Sequence, residues 1–348
     1  MLNTNFENCS ILIVGGAGFV GSNLCRKLLT AHNTINITVI DNLLSSEKEN
    51  LPSDSRLKFI HASITNGSIL NSLTDTYDYI FHLATFHGNQ NSIANPLNDH
   101  ENNTLTTLKL FDHIKTFKFL KKVIYSSAGC SVAKKTFGDA KATTEDDPIE
   151  LKQDSPYSIS KIIGEFYSVY FGNQFNLPIV RARFQNVYGP GEILGAGEWR
   201  GTYATVWRNV IPVFIYKSLK QLPLPVENNG IATRDFIFVD DLCDGLIDCT
   251  LNGIPGEVYN LGSGEETSIY DLAQNIISLT NSSAGIEYLP RRSWDNSGHR
   301  FASTDKALQF LGFKTRTPLV DGLRKTIEWT QKNLDFIDTC ISKHKYHI

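Results

Sequence analysis

The chain has 348 residues, room for one large domain or two smaller ones. With 41% hydrophobic residues, 20% charged residues and a net charge of −3 it reads as an ordinary soluble globular protein, without the basic excess of a nucleic-acid binder. Its six cysteines include no C-x-x-C pair, so neither a zinc site nor a disulfide framework is expected. Polar residues 1–10 lack a signal-peptide layout, and no apolar stretch approaches the roughly 18 residues of a membrane span. A cytoplasmic protein is the expectation.

Ser10–Val14 is a short, apolar, β-branched run ending at glycine, which suits a strand buried on both faces. Residues 20–31 then carry Val20, Leu24, Leu28 and Leu29 at helical spacing, and residues 35–40 read as a second strand ending at Asp41-Asn42. Strands are predicted at 57–60, 79–83 and 122–126, with helices at 69–73 and at 104–116, the latter turning Leu105, Leu108, Phe111 and Ile114 inward. A long polar loop leads to a helix opened by Asp154-Ser155-Pro156, a capping residue ahead of proline at the first helical position. Residues 177–183 make a sixth strand. Alternation of this kind predicts a parallel sheet covered by helices on both faces. The later chain is less regular: a helix near 207–220, a strand at 236–239, helices at 240–250 and 269–280, and a closing helix from residue 319. It is expected to build a smaller lobe from separate segments, with 1–186 and 232–260 in one lobe and 187–231 and 261–348 in the other.

Two patterns point to chemistry. Gly15-Gly16-Ala17-Gly18-Phe19-Val20-Gly21 satisfies both G-x-x-G-x-x-G and G-x-G-x-x-G between a strand and a helix. Glycines there allow a tight turn and close approach of the backbone to a pyrophosphate, which the helix N-terminus then favours. Asp41 stands 20 residues past Gly21, where a carboxylate accepts from a ribose 2′-hydroxyl and repels a 2′-phosphate. NAD is therefore the expected cofactor. The second pattern is Tyr157 with Lys161, four apart on one helix face. An ammonium beside a phenol favours the phenolate, which makes a general base for an alcohol. Tyr216 and Lys220 repeat the spacing, so context must decide between the two pairs.

These residues resemble the extended short-chain dehydrogenase/reductase family, the NAD-dependent nucleotide-sugar epimerases and dehydratases, over nearly the whole chain. The likeness rests on Gly15 to Gly21, Asp41-Asn42, His82-Leu83-Ala84, Asn103, Ser126-Ser127, Tyr157 to Lys161 with Glu165, the run Arg183-Phe184-Gln185-Asn186-Val187-Tyr188-Gly189-Pro190, Arg234-Asp235-Phe236 and Leu311-Gly312-Phe313. It implies a Rossmann-type doubly wound parallel sheet with a smaller α/β substrate-binding lobe, and it selects the Tyr157 pair over the Tyr216 pair. It implies that Tyr157 takes the proton of a sugar hydroxyl, and that Lys161 binds the nicotinamide ribose. NAD contacts are implied for Gly15, Gly18, Phe19, Val20, Gly21, Asp41, Asn42, Ser63, Ile64, Leu83, Ala84, Thr85, Asn103, Ser126, Phe184 and Val187. The nucleotide-diphosphate sugar falls to Asn186, Arg234 and Arg292, joined by Arg208 from an insertion at 191–208 that also holds Trp199, Arg200 and Trp207. That insertion is expected either to cover the sugar or base or to meet a neighbouring subunit. A homodimer is implied through residues 98–117 and 155–175, with Phe166, Val169 and Tyr170 outermost. No metal is expected.

Two departures stand out. Relatives carry Ser or Thr where a gap-free register puts Ala128, leaving Ser127, Cys130 or Ser131 to fill a third catalytic role. The run Ala128-Gly129-Cys130 also lacks the acids of the 4,6-dehydratases, and it sets Cys130 where a GDP-mannose 3,5-epimerase has its acid/base cysteine. At Ala62-Ser63-Ile64 relatives often place an acid against adenine. The expectation is a C4 epimerase working through a transient 4-keto sugar. The alternatives are a 3,5-epimerase or other 4-keto-sugar enzyme using Cys130, and a non-catalytic NAD-binding scaffold.

Overall fold

The computed structural model describes residues 6–129, 132, 136–296 and 298–348. Its strands in chain order are β1 (Ser10–Val14), β2 (Asn36–Asp41), β3 (Leu57–His61), β4 (Tyr79–His82), β5 (Lys122–Ala128), β6 (Ile179–Phe184), β7 (Asn186–Tyr188), β8 (Leu224–Glu227), β9 (Thr233–Arg234), β10 (Phe236–Phe238), β11 (Val258–Leu261), β12 (Thr267–Ser268) and β13 (Ile286–Leu289). Seven of them form one sheet in the order β11-β6-β5-β4-β1-β2-β3, every pairing parallel. The order reverses between β1 and β4, and in sheets of this kind the ligand crevice opens beyond the strand ends at that point.

Side chains of β1 alternate between two cores, as a pleated strand requires. Ile11 and Ile13 meet Leu24, Leu28 and Leu246 on one face, while Leu12 and Val14 meet Leu110, Phe111 and Phe171 on the other. Leu24 and Leu28 come from α1 (Phe19–Ala31) and Leu246 from α8 (Val239–Leu251), while Leu110 and Phe111 come from α5 (Thr106–Ile114) and Phe171 from α6 (Pro156–Phe175); α2 (Gly67–Ser72), α3 (Asn89–Ala94) and α4 (Pro96–Asp99) lie between α1 and α5 in the chain. The smaller lobe has its own core, where Phe214, Leu272, Ile276, Leu323 and Ile327 close over Leu224, Val226, Phe236 and Phe238. Its helices are α7 (Val210–Leu219), α9 (Ile269–Thr280), α11 (Leu319–Lys332) and α12 (Leu334–Ser342), whereas α10 (Asp305–Leu311) joins α8 on the large sheet through Ala307 and Leu311. Two-stranded sheets β7–β10, β8–β13 and β9–β12 stitch this region together.

Several predicted boundaries shift. The helix expected at 104–116 begins at Pro96, because a π-helical segment at residues 100–105 joins α4 to α5. Such segments change which residues a helix aims inward, and they concentrate at functional positions. Here Asn103 is turned back toward the loop after β4. β6 begins at Ile179, after Pro178, which has no N–H to give a ladder. α7 starts at Val210, so Trp207 and Arg208 lie in the loop before it.

Candidate active site

A cavity of about 610 Å³ runs from the Gly15 turn, past the start of α6, to the arginines of the smaller lobe. At the first end Gly15 has φ +84°, and a Cβ there would lie 2.5 Å from the Ala84 nitrogen. A Cβ on Gly21 would lie 2.5 Å from the Gly15 carbonyl, so only glycine lets α1 start against the turn. The α1 N-terminus has no side-chain cap and no acid in its first turn, which leaves its N–H groups to an anion. Asp41 accepts from the Ala17 N–H at 2.9 Å through one oxygen, and from the Leu43 N–H and Ser46 hydroxyl through the other. Burial raises its pKa against these hydrogen bonds. The carboxylate therefore braces the glycine turn as well as lining the cavity, with lone pairs left for a ribose hydroxyl.

Phe19, Val20, Asn42, Ser63, Ile64, Leu83, Ala84, Thr85, Ser126, Phe184 and Val187 also line this half. Asn103 does not face the cavity directly. Its carbonyl oxygen accepts from the Phe86 N–H at 2.7 Å and the Thr85 hydroxyl at 3.0 Å, and its amide donates to Asp99. It holds the loop after β4 in place.

Tyr157 and Lys161 line the middle of the cavity. Ser155 caps α6 by accepting from the Ser158 N–H, Pro156 takes the first helical position, and the Tyr157 N–H donates to the Ser92 hydroxyl at 3.1 Å. The Lys161 ammonium lies 5.9 Å from the centre of the Tyr157 ring and donates to the Ser126 carbonyl at 2.9 Å. The other Tyr/Lys pair is elsewhere: Tyr216 and Lys220 both bind Asp338 of α12. The serines at the end of β5 are engaged. Ser126 donates to the His82 carbonyl, and Ser127 donates to Glu165 at 2.5 Å. Glu165 in turn receives a two-point ion pair from Arg183, with both contacts at 2.8 Å. Ala128 faces the cavity with no polar group of its own. Cys130 and Ser131 lie outside the described residues. His82 is packed in the core, bonded to the Thr107 hydroxyl, and burial drives its pKa down to about 3.

Beyond the Tyr/Lys pair, Asn186, Arg234 and Arg292 line the cavity. Arg234 donates to the Thr233 and Gly298 carbonyls and pairs with Asp295, and Arg292 pairs with Glu227. Arg208 lines the same cavity and is held by backbone carbonyls. Its terminal nitrogens donate to the Ser45 and Ile193 carbonyls, on the side of the Asp41 loop. The 191–208 insertion as a whole packs on residues 44–47 and on the C-terminal segment, where Trp199 stacks on His347 with ring centres 4.4 Å apart. Glu192, Ile193, Ala196, Trp207 and Arg208 of the insertion also line the cavity.

Residues that motif reading missed include His87, Phe137, Glu192, Glu227, Trp294 and Arg300, all lining the cavity. Burial pushes the Glu192 carboxyl up to about 7. Arg300 keeps its Nε buried without a hydrogen-bond partner. No local pattern marks any of these; tertiary contact alone gathers them.

Residues 11–262 match the NAD dependent epimerase/dehydratase family. The Bordetella bronchiseptica enzyme WbmF, solved in complex with NAD+ and UDP, is 56% identical, with 99% of each chain covered and a TM-score of 0.90. A UDP-glucose 4-epimerase of Mycolicibacterium smegmatis is 30% identical over 91% of this chain and 97% of its own. An Arabidopsis thaliana trifunctional UDP-glucose 4,6-dehydratase/UDP-4-keto-6-deoxy-D-glucose 3,5-epimerase/UDP-4-keto-L-rhamnose-reductase is 28% identical over 96% of this chain. The chain spans about half the length of that plant protein, 49% of it. A glycine cradle that tolerates no Cβ, an uncapped helix start and a Tyr/Lys pair in one cavity are what this family's chemistry requires, and the chain belongs to the NAD-dependent epimerase/dehydratase family, whose cofactor is NAD.

Proposed function

We propose that the protein is a nucleotide-sugar epimerase that inverts C4 of a UDP-sugar through a transient 4-keto sugar. The observation that carries this reading is the single cavity joining the glycine cradle, Tyr157 with Lys161, and the arginines of the smaller lobe. The epimerase relative and the UDP complex of WbmF support the substrate class. Ala128 and Gly129 supply no acid for elimination of water, which supports this reading over a 4,6-dehydratase.

The residues fit the dinucleotide: Gly15 to Gly21 and the α1 N-terminus would hold its pyrophosphate, Asp41 its adenosine ribose, and Lys161 its nicotinamide ribose. When bound, it supplies a reversible hydride acceptor. Tyr157 removes the proton of the C4 hydroxyl as the C4 hydrogen departs, and gives that proton back when hydride returns to the other face of the sugar. Lys161 holds a positive charge beside the phenol and favours its anion. Arg234 and Arg292, already oriented by Asp295 and Glu227, receive the diphosphate. The sugar must turn over between the two hydride steps while this grip persists.

The test is NMR of UDP-sugars incubated with the protein in D₂O. Inversion at C4 without solvent deuterium is the expected result, and Tyr157→Phe should slow it by about 10²- to 10⁴-fold. Deuterium entering at C3 or C5 would replace this reading with enolisation, for which Cys130 is the side chain to vary.

A further inference from the structure

Among the described residues the β5 turn leaves a chemical gap: Ala128 offers no hydroxyl, Ser127 donates to Glu165, and Ser126 donates to a carbonyl. An alcohol becoming a carbonyl builds negative charge on its oxygen, and a base that removes the proton does not by itself stabilise that charge. Among the described residues of that turn, no second donor is aimed at the same oxygen.

His87 stands where such a donor is needed. It lines the cavity, and its ring meets the Tyr157 ring edge-on with centres 6.0 Å apart. Its position is built. Gly88, at φ +107°, turns the chain into α3 directly after it. α3 is then tied to the start of α6 by Ser92 accepting from the Tyr157 N–H and by Ser155 donating to Asn89. His87 and Tyr157 therefore share one rigid corner. Burial, with Arg208, Arg200 and Lys161 nearby, pushes the His87 pKa down to about 3, so the ring is neutral at physiological pH. A neutral imidazole carries one N–H and one lone pair. Nδ1 is sealed off without a partner, so the proton is better placed on Nε2, where a ligand in the cavity can accept it.

We infer that His87 is a further catalytic residue, donating a hydrogen bond from its neutral ring to the sugar oxygen that Tyr157 deprotonates and so filling the role left open at Ala128. The proton balance is simple. Tyr157 takes the hydroxyl proton, the carbon loses hydride, the C=O double bond forms, and the imidazole N–H stays on the ring throughout. On return of hydride the same hydrogen bond holds the oxygen until Tyr157 reprotonates it.

This inference rests on the C4 reading, and the test separates the two. Wild-type, His87→Leu, His87→Gln and the double variant His87→Leu/Ala128→Ser are compared for kcat, KM and NAD content as purified. His87→Leu should lose about 10²-fold in kcat, the usual cost of one such donor, with NAD content unchanged. His87→Gln, which keeps an N–H donor, should lose less. Ala128→Ser should restore at least about tenfold in the His87→Leu background, a rescue that a packing role does not predict. His87→Leu within about threefold of wild-type kcat, or a loss that merely tracks shed NAD in both His87 variants, overturns the inference. A wild-type protein that inverts no UDP-sugar sinks the C4 reading instead.

Discussion

Replacing Arg183 by methionine would strip the counter-charge from a carboxylate that has no other full partner. Glu165 sits on α6, one turn beyond Lys161, with its side chain about 3% exposed. Arg183 grips both of its oxygens at 2.8 Å and also donates to the Glu145 carbonyl, whereas Arg181 stands off at 3.7 Å. Burial would raise the Glu165 pKa, but Arg183 and Ser127 overcome it and hold the carboxyl below its ordinary value. Breaking a buried pair from one side costs about 3–5 kcal/mol, because the remaining charge is left without compensation. For 348 residues the unfolding entropy near Tm is about 0.7 kcal/mol/K, so the melting temperature should drop by about 4–7 °C. The sign with pH follows from linkage. In the wild type the depressed Glu165 contributes stability above the unfolded carboxylate value, and that contribution fades as pH falls through the folded value. In Arg183→Met the bare carboxylate is instead costly when charged and is relieved on protonation. The gap between the two proteins should therefore be widest near pH 7–8 and narrow toward about pH 4. Differential scanning calorimetry across that range measures it. Removing both charges in Glu165→Leu/Arg183→Met should recover part of the loss. A single variant melting within about 1 °C of wild type at neutral pH, or a gap that does not change with pH, would refute the account.

Two further outcomes can be checked on the same preparations. Arg300 lines the cavity with its Nε buried and unpartnered, while Arg234, Arg292 and Arg208 are already engaged; Arg300→Met should weaken UDP binding by about tenfold in titration calorimetry, as loss of a charged hydrogen bond does, and unchanged affinity would remove Arg300 from the substrate contacts. On α6, Phe166 and Tyr170 are 59% and 53% exposed on a face that also shows Ile159 and Val169. If this face joins two copies, Phe166→Glu/Tyr170→Glu should convert a dimer to a monomer by light scattering, and a monomeric wild type would dismiss the interface.

Most of the sheet was legible because its signals are local. β1 is an apolar run after Ser10, β2, β4, β5 and β6 are rich in apolar residues, and the glycine turn with Asp41 announces where β1 and β2 end. What escaped depends on contacts that no spacing records. The π-helical segment at 100–105 has no composition of its own, so the helix from Pro96 was read eight residues short. Ser127 looks like any catalytic serine until Glu165 is placed against it. That Arg208 lines the cavity while donating to the carbonyls of residues 45 and 193 is likewise written in no spacing. His87 belongs to no motif, and its meaning depends on α3 and α6 meeting.

The 191–208 insertion bears on the choice between an epimerase and a reductase, because the first must keep its dinucleotide through two hydride steps and the second must exchange it. Residues 44–47 follow Asp41 and line the cofactor half of the cavity. The insertion clamps them: Arg200 and the Glu198 N–H both donate to the Leu44 carbonyl at 3.0 Å, Arg208 donates to the Ser45 carbonyl, and the Gly197 N–H donates to Glu47. Asn50 and Asn23 extend the seam to the Gly191 and Pro190 carbonyls beside the glycine turn. From the other side Lys343 pairs with Glu47, and His344 bonds the Gly195 carbonyl. Opening this half of the cavity means breaking several of these ties together, which fits a cofactor retained between turnovers. Arg200 does not itself line the cavity, is 3% exposed, and has its pKa lowered to about 9 by burial. Its replacement by methionine loosens Leu44 without removing a residue from the cavity wall. Exchange of bound NAD for labelled NAD should then quicken by about tenfold, the effect of losing one charged hydrogen bond, while Tyr157 and Lys161 stay in place. Wild-type protein that already exchanges NAD within a turnover would overturn the argument, and so would a variant that exchanges it no faster.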